Sequence, residues 1–303
     1  MSEQVLVTDK LSKSYGSRQA VRGLDLEVRR GEVFGFLGPN GAGKTTTIRM
    51  CLGLIRPTSG RALVLGRDVS RHAGDVLPRV GALIESPALY GYMSGRSNLL
   101  CFADTLCGVH AGRIDELLDL VDLRDRQRDR VRTYSMGMKQ RLGLAVAMLH
   151  DPDLLVLDEP ANGLDPAGIV EMRSLLRRLA SQGKTIFLSS HVLAEVQQTC
   201  DRVAILNAGE LIRVAPVGEL LGGSGEFEVR VANAVEALAA IRRQPWGQAA
   251  RAVNSTVVTA SPSGRGRELT EFLVAAGFTP DAVTEREQDL EEVFLRLTGG
   301  GDR

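Results

Sequence analysis

The chain has 303 residues, of which 44% are hydrophobic, and its 37 basic side chains balance 37 acidic ones. This length and composition predict one large folded domain together with a smaller one. A net charge of zero argues against a basic surface for nucleic acid, so no nucleic-acid partner is expected. No segment reaches the roughly 18 uninterrupted apolar residues of a membrane-spanning helix, and no N-terminal signal peptide is predicted. The four cysteines show neither metal-ligand nor disulfide spacing, and we expect buried, reduced thiols.

The predicted elements begin with strands. Residues 5–8 and 24–28 alternate between apolar and polar side chains, as half-exposed strands do. Residues 33–37, Val-Phe-Gly-Phe-Leu, are apolar throughout and predict a fully buried strand. Residues 61–65 and 80–84 predict two more strands. This part of the chain is therefore expected to be rich in sheet.

A helical pattern follows from Ser94 to about His150, where apolar residues recur three or four positions apart. The elements predicted after it are a strand at 153–158, a helix at 166–181, a strand at 185–189 and a helix at 192–200. Strands at 202–206 and 210–214 flank Asn207-Ala208-Gly209, which predicts a hairpin turn. Residues 1–214 are thus expected to form a sheet-and-helix domain with a mostly helical insert.

The remaining chain predicts a small second domain. Residues 222–225, Gly-Gly-Ser-Gly, predict a flexible linker. The order strand, helix, strand, strand, helix, strand follows at 226–231, 235–241, 249–253, 256–260, 267–276 and 279–285, which is the split β-α-β arrangement of ferredoxin-like domains. A last amphipathic helix is predicted at 290–297. The predicted domains are 1–220, with a helical subdomain at about 86–150, and an accessory α+β domain at 221–303.

Residues 38–45 read Gly-Pro-Asn-Gly-Ala-Gly-Lys-Thr, a complete phosphate-binding loop of the G-x-x-x-x-G-K-[ST] type. Its glycines permit backbone conformations that turn several N–H groups toward one point, where nucleotide phosphates are attracted. Lys44 is expected to reach the β- and γ-phosphates, and the Thr45 hydroxyl to bind Mg²⁺. The predicted nucleotide-binding residues of this segment are Gly38, Pro39, Asn40, Gly41, Ala42, Gly43, Lys44, Thr45 and Thr46.

A second motif at 154–160, Leu-Leu-Val-Leu-Asp-Glu-Pro, places Asp158 at the end of an apolar strand and Glu159 directly after it. In phosphate-loop enzymes, an acid at this place holds Mg²⁺ beside the loop threonine. The second carboxylate, Glu159, is predicted to orient and partly deprotonate an attacking water. Paired acids at a strand end also serve as helix caps or ion-pair partners, but the phosphate-binding loop earlier in the chain favours the catalytic interpretation.

With these motifs, residues 4–220 resemble the nucleotide-binding subunit of ATP-binding cassette (ABC) transporters. Tyr-Ser-Met-Gly-Met-Lys-Gln-Arg at 134–141 is similar to the family's signature motif, commonly Leu-Ser-Gly-Gly-Gln followed by Gln-Arg. Ala-Asn-Gly-Leu-Asp at 161–165 resembles the loop at the family's dimer interface. The resemblance implies an α/β P-loop NTPase fold with antiparallel β and helical subdomains, to which the small α+β domain is added.

The resemblance also implies a site shared by two chains. Adenine would stack on Tyr15, which follows Ser-Lys-Ser in the sequence. A second copy would present Ser135 and Gly137 to the γ-phosphate. Asp165 would connect the two sites across the dimer interface. The implied ligands are ATP and Mg²⁺.

The catalytic residues implied by the resemblance are Glu159 as general base, His191 as the family's switch histidine, and Lys44. In this interpretation, His191 stabilises charge on the γ-phosphate in a loose transition state. The side chains implied for Mg²⁺ are Thr45, Asp158 and Glu85.

Two departures from the family pattern involve functional positions. Met136 and Met138 replace the first glycine and the glutamine of the signature motif. Glu85 stands where the family has a glutamine; its carboxylate can bind Mg²⁺, but it cannot donate a hydrogen bond as an amide does. Both variants resemble a subfamily of bacterial exporters that includes bacitracin- and lantibiotic-resistance ATPases.

The function implied is an ATP-hydrolysing subunit that dimerises on ATP and powers export of a drug, peptide or lipid-like substrate. The expected partners are a separate transmembrane permease and a second nucleotide-binding subunit, in a homodimer, at the cytoplasmic face of the cell membrane. One alternative is a soluble mechanical ATPase, which a single cassette without a coiled-coil insert disfavours. Another is a regulatory module with an inactive site, which the intact motif residues disfavour.

Overall fold

The computed structural model of the protein describes residues 3–106, 109–221, 226–253, 256–286 and 290–298. The predicted linker at 222–225 and Cys107 lie outside the described residues. Of the described residues, those up to Val217 together with 296–298 form one compact unit, and those within 218–295 form the other. Within the described ranges, no helix has both the length and the apolar character needed to cross a bilayer.

The larger unit combines two sheets with helices. Its strands are β1 (Gln4–Tyr15), β2 (Arg18–Arg29), β3 (Val33–Leu37), β4 (Ser59–Val64), β5 (Arg67–Asp68), β6 (Val80–Leu83), β7 (Leu154–Asp158), β8 (Thr185–Ser190), β9 (Arg202–Asn207) and β10 (Glu210–Pro216). Its helices are α1 (Lys44–Cys51), α2 (Val69–Val76), α3 (Gly95–Asp104), α4 (Ala111–Leu120), α5 (Met136–Ala147), α6 (Pro166–Ser181) and α7 (Leu193–Thr199), and α8 (Val217–Leu221) follows them. Short 3-10 turns occur at Leu77–Arg79 and Val131–Thr133.

The six-stranded sheet has the order β10-β9-β3-β8-β7-β6. Its strands run parallel except β10, which forms an antiparallel hairpin with β9. The residues of β3, β7 and β8 are buried throughout, which explains why β3 and β7 are almost continuously apolar and why β8 has an apolar centre. Because β3, β8 and β7 are parallel neighbours, the segments after their carboxyl ends meet at one edge of the sheet.

The other sheet of this unit is antiparallel, with the order β2-β1-β4-β5. Both sheets contribute to one hydrophobic core, in which Leu6 and Leu24 pack with Phe34 and Phe187. The Phe36 and Phe187 rings, from adjacent strands, have centroids 5.3 Å apart. This shared core fixes the position of the phosphate-binding loop, because the loop leaves the end of β3.

Helices α3, α4 and α5 make up the predicted helical insert. Tyr134, immediately before α5, is buried, and its hydroxyl donates to the carbonyl of Arg126 at 2.7 Å. Burial raises the pKa of this hydroxyl above its ordinary value. At Gly95, the first residue of α3, a Cβ would lie 2.3 Å from the Tyr134 hydroxyl oxygen. The start of α5 is therefore fixed against the start of α3.

The smaller unit contains a second kind of sheet. Its elements are β11 (Glu226–Val231), α9 (Ala234–Arg242), a 3-10 turn at Pro245–Gly247, β12 (Arg251–Val253), β13 (Thr256–Ala260), α10 (Gly266–Ala275) and β14 (Pro280–Glu285), and α11 (Leu290–Thr298) follows. The strand order is β12-β13-β11-β14, and every pairing is antiparallel. This is the split β-α-β arrangement that the sequence predicted. Its core includes Val229, Ile241 and Leu273.

The predicted α/β fold class is confirmed, but several elements differ from the prediction. Strands β1 and β2 extend over 12 residues each, because their pairing continues beyond the alternating apolar segments. Strand β5 and helices α2 and α8 were not predicted; in α2 only Val69 and Val76 are buried, so its apolar pattern is weak. Cys51 and Cys200 are buried thiols, whereas Cys101 is only partly buried, which corrects the expectation for that residue.

A close backbone contact generates a test of this packing. At Gly81 in β6, a Cβ would lie 2.2 Å from the carbonyl oxygen of Ala147 at the end of α5. We expect Gly81→Ala to destabilise the protein by about 1–3 kcal/mol, because the added methyl forces strand and helix apart. Gly74→Ala in α2, where a Cβ meets nothing within 4 Å, is the control and should stabilise by about 0.5–1 kcal/mol or be neutral. Equal urea-unfolding midpoints for the two variants would contradict this packing.

Candidate nucleotide-binding site

The phosphate-binding loop connects the end of β3 to the start of α1. Gly41 and Gly43 have φ angles of 83° and 104°, in the left-handed region that favours glycine. A Cβ on Gly43 would lie 2.5 Å from the carbonyl oxygen of Ala20. Position 43 therefore requires glycine, both for the backbone conformation and because a side chain would have no room. The loop passes directly over β2.

Lys44 is the first residue of α1, and its side chain turns back over the loop. Its ammonium group donates to the carbonyls of Gly38 at 2.7 Å and Pro39 at 3.4 Å. It also lies 3.1 Å from a carboxylate oxygen of Glu159. Because the Lys44 side chain is only 5% exposed, its charge is directed into the site rather than toward bulk solvent.

A cleft of about 410 Å³ opens beside this loop. Tyr15, at the end of β1, lines the cleft and is 52% exposed, so one ring face can be reached by a planar ligand. The Lys13 ammonium lies 5.2 Å from the Tyr15 ring centroid. The other lining residues are Arg18, Ala20, Asn40, Gly41, Gly43, Lys44, Thr45, Thr46 and Glu159.

Three predicted loop residues do not line the cleft. The side chain of Ala42 is buried in the core beneath the loop. A Cβ on Gly38 would lie 2.7 Å from the carbonyl oxygen of Leu206. Gly38 and Pro39 instead supply the carbonyls that hold Lys44. These residues therefore shape the loop from below.

Asp158 and Glu159 are brought to the same edge by β7. Asp158 is 2% exposed, and its carboxylate accepts a hydrogen bond from the Thr45 hydroxyl at 2.8 Å. Glu159 has a φ of 54°, an uncommon conformation for a non-glycine residue. Its carboxylate bonds His191 Nδ1 through one oxygen and faces Lys44 through the other. The structure thus joins Thr45 to Asp158 and Glu159 to Lys44 and His191, but it does not bring the predicted metal ligand Glu85 into contact with them.

Ser189, at the end of β8, is a residue whose role the sequence analysis missed. Its buried hydroxyl donates to the second carboxylate oxygen of Asp158 and accepts from the Glu159 N–H at 3.0 Å. One side chain therefore positions both acids. The available signal was a pair of serines, Ser189 and Ser190, directly after the apolar centre of β8, the neighbour of the motif strand β7.

A second carboxylate lies close to His191. The hydroxyl of Ser190 donates to Glu195 Oε2 at 3.1 Å. Burial raises the pKa of Glu195, while the hydrogen bond from Ser190 and the nearby His191 oppose that rise. The segment between β8 and α7 is therefore held by hydrogen bonds on both sides of His191.

A second cavity, of about 570 Å³, lies between this edge and α5, and we call it the signature cavity. Glu85 lines it, has a φ of 60°, and lies 2.6 Å from Arg49 Nη2 on α1. The other lining residues are Asn40, Thr45, Ser86, Met136, Gln140, Asp158, Glu159, Asn162, Gly163 and His191. The loop after β6 is thus tied to the helix that follows the phosphate-binding loop.

Ser135, Gly137 and Asp165 line neither the cleft nor the signature cavity. Ser135 caps α5 by accepting the N–H of Met138 at 3.2 Å. Asp165 caps α6 by accepting the N–H of Gly168 at 3.0 Å. These predicted binding residues are therefore not assembled with the phosphate-binding loop of their own chain.

The oxygen groups at this edge suit a hard cation such as Mg²⁺, which takes one or two carboxylates together with water and phosphate oxygens. Thr45 and Asp158 are in contact, and Glu85 lies on the wall of the signature cavity. Across the described ranges, no cluster of three or more His, Cys, Asp or Glu side chains is placed to hold a metal unaided. The side chains present therefore fit a cation that arrives with a polyphosphate.

The chain is similar to several known proteins. The family model described as ABC transporter matches residues 21–162. The bacitracin transport ATP-binding protein of Bacillus licheniformis is 39% identical, covering 98% of this chain and 98% of that protein. The daunorubicin resistance ATP-binding protein of Streptomyces coeruleorubidus is 38% identical, covering 100% of this chain and 98% of that protein. A solved ATP-binding subunit of an ABC transporter superposes with a TM-score of 0.64 at 28% identity, covering 71% of this chain and 91% of that one.

Ser189 supplies the testable prediction of this site. Ser189→Ala leaves the Glu159 N–H and an Asp158 oxygen without their hydroxyl partner, so we expect a loss of about 1–3 kcal/mol in unfolding free energy and a lower kcat. Thr185→Ala is the matched control, because Thr185 is a buried hydroxyl at the opposite end of β8 that accepts from the Gly31 N–H at 3.0 Å. The control should lose stability and keep kcat. Equal kcat values for both variants in a phosphate-release assay would refute the role of Ser189.

Proposed function

This chain belongs to the ATP-binding proteins of ABC transporters, which bind and hydrolyse ATP, and we propose that its ATP cycle drives export through a separate membrane subunit. The names of the bacitracin and daunorubicin relatives support a drug, peptide or lipid-like cargo. The observation that carries the catalytic part of the proposal is the position of Glu159 between Lys44 and His191 beside the phosphate-binding loop.

The nucleotide would bind in the cleft beside this loop. Adenine would stack on the exposed face of Tyr15. The phosphates would lie along the loop at 38–46, of which Asn40, Gly41 and residues 43–46 line the cleft. Thr45, Asp158 and Glu85 are the residues that would hold Mg²⁺. When bound, the ion neutralises charge on the β- and γ-phosphates. Glu85 would first have to exchange its contact with Arg49.

Glu159 is proposed as the general base. Its carboxylate orients the attacking water and accepts a proton from it as the bond from the water oxygen to phosphorus forms. His191, bonded to Glu159 through Nδ1, fixes that carboxylate and stabilises charge near the γ-phosphate. Ser189 holds the backbone of Glu159, so the carboxylate is placed by a buried hydroxyl rather than by a free loop.

The site is proposed to be completed by a second copy of the chain. Ser135 and Gly137 lie at the start of α5 and do not line the cleft of their own chain, which supports their use by a partner. Asp165, exposed at the start of α6, would connect the two sites. A homodimer at the cytoplasmic face of the membrane, bound to a permease, follows from this proposal.

Replacing the proposed base tests the mechanism. We expect Glu159→Gln to lower kcat at least about 100-fold, because an amide cannot accept the proton from water. ATP binding should remain, and the variant should form a dimer with ATP. Phosphate release and light scattering with and without ATP measure both effects. Turnover at the wild-type rate would refute the assignment.

Lys44→Ala is the contrasting variant. Removal of the loop cation should weaken ATP binding itself, because Lys44 is the buried charge that faces the phosphates. An equilibrium titration with a fluorescent ATP analogue separates the two variants: Glu159→Gln binds and does not turn over, whereas Lys44→Ala does not bind. Equal affinities would contradict the proposed role of Lys44.

The export proposal has its own test. The tagged chain, purified from gently solubilised membranes of its own cell, should recover a polytopic membrane protein in stoichiometric amount. Recovery from the soluble fraction alone, with no membrane protein, would contradict the permease partner while leaving the ATPase assignment intact.

A further inference from the structure

Gln140, in the second turn of α5, is a buried polar residue that the mechanism above does not use. It is 3% exposed, and its Oε1 has no hydrogen-bond partner among the residues that the structure describes. A buried polar atom without a partner lowers the stability of the fold, so Gln140 is poorly explained as a stabilising residue. It lines the signature cavity, whose volume of about 570 Å³ is large enough for several waters.

The face of α5 that carries Gln140 packs against the loop after β6. Gly143 lies one turn further along the same face, and a Cβ there would lie 2.7 Å from the Cβ of Pro87. Gln140 is therefore placed next to the segment that contains Glu85, and both residues line the signature cavity. Asp158 and Glu159 line that cavity from the sheet.

The polar groups on the two sides of this cavity differ in the hydrogen bonds that they can make. Glu85 is a carboxylate, which only accepts hydrogen bonds when ionised, and it lies 2.6 Å from Arg49. An amide both donates and accepts. Asn40 and Asn162 also line the cavity but are exposed, whereas the amide of Gln140 is fixed by burial. Gln140 thus brings a buried amide to the cavity wall, where the loop after β6 has none. Its Oε1 is inaccessible to water, so the amide N–H is the group that can meet a water in the cavity.

We propose that Gln140 is a positioning residue of the ATPase reaction, which acts through ordered water in the signature cavity. Its amide N–H donates to this water and so connects the start of α5, with Ser135 and Gly137, to Glu159 of the same chain. In this role it supplies an amide at the cavity, where Glu85 offers only a carboxylate. The inference rests on the proposed function of Glu159.

The first variant is Gln140→Leu in the full chain, which keeps the approximate size and removes both hydrogen-bonding atoms. We expect kcat to fall about 10- to 100-fold, with KM for ATP changed less than about twofold, because the residue acts on the reacting water rather than on nucleotide binding. The thermal midpoint should stay the same or rise, because a polar atom without a partner has been removed. A lower midpoint with unchanged kcat would show a structural role and overturn the proposal.

Two further variants keep the test decisive. If Gln140→Leu does not fold, Gln140→Met, which is unbranched, is measured in its place with the same expected outcomes. Gln182→Leu, at the exposed end of α6, controls for a general effect of replacing glutamine by leucine and should leave kcat unchanged. A similar loss of kcat in Gln182→Leu would remove the support for Gln140.

A double-mutant cycle tests the relation to position 85. We compare the change in kcat that Glu85→Gln causes in two backgrounds. If Gln140 supplies the amide that Glu85 lacks, this change should be at least about fivefold more favourable in the Gln140→Leu background than in the wild type. Effects that multiply independently within about twofold would overturn this coupling. Glu159→Gln is measured alongside: if it keeps turnover, the proposed function fails, and if it is inactive while Gln140→Leu keeps kcat, only the present inference fails.

Discussion

The hydrogen bond from Thr45 to Asp158 joins two segments that are 113 residues apart in sequence. It forms because β3 and β7 run parallel on either side of β8, so that the phosphate-binding loop and the acidic motif leave the sheet at the same edge. Ser189, at the end of the strand between them, bonds Asp158 from the other side. The geometry of the candidate site is thus a property of strand order. A change in strand pairing would separate the two motifs even if every motif residue were kept.

The sequence was sufficient for the parts of the site whose chemistry is local. The spacing of the motif alone predicted the roles of Gly43 and Lys44. Glycine permits the loop conformation, and lysine supplies the positive charge. Asp158 was predictable because an apolar strand carries it to an edge. The contacts of Ser189 and Gln140 were not predictable, because they depend on which strand lies between two motifs and on which helix face covers a loop. For the same reason the Arg49–Glu85 contact could not be read from positions that are far apart in the chain.

The fold follows a similar division. Long apolar segments such as 33–37 and 154–158 predicted their strands because these strands are buried on both faces. Helix α2 was missed because it buries only two side chains and contains a non-helical residue, His72. The order of elements in the small unit was correct because each element there has its own apolar pattern and turn residues separate them. Weak local patterns, rather than distance along the chain, limited the prediction of elements.

The contact between Lys44 and Glu159 has a consequence for the approach of a polyanion. Two carboxylates beside a phosphate-binding loop would repel nucleotide if they stood uncompensated, since like charges a few ångströms apart interact strongly outside bulk water. In the structure, Glu159 is matched by the Lys44 cation and bonded to His191, and Asp158 receives two hydroxyl hydrogen bonds. When a phosphate group enters, it therefore takes the place of Glu159 as the ion-pair partner of Lys44. It does not meet two uncompensated carboxylates. The electrostatic repulsion between the site's carboxylates and an anion is thus lowered before the anion binds.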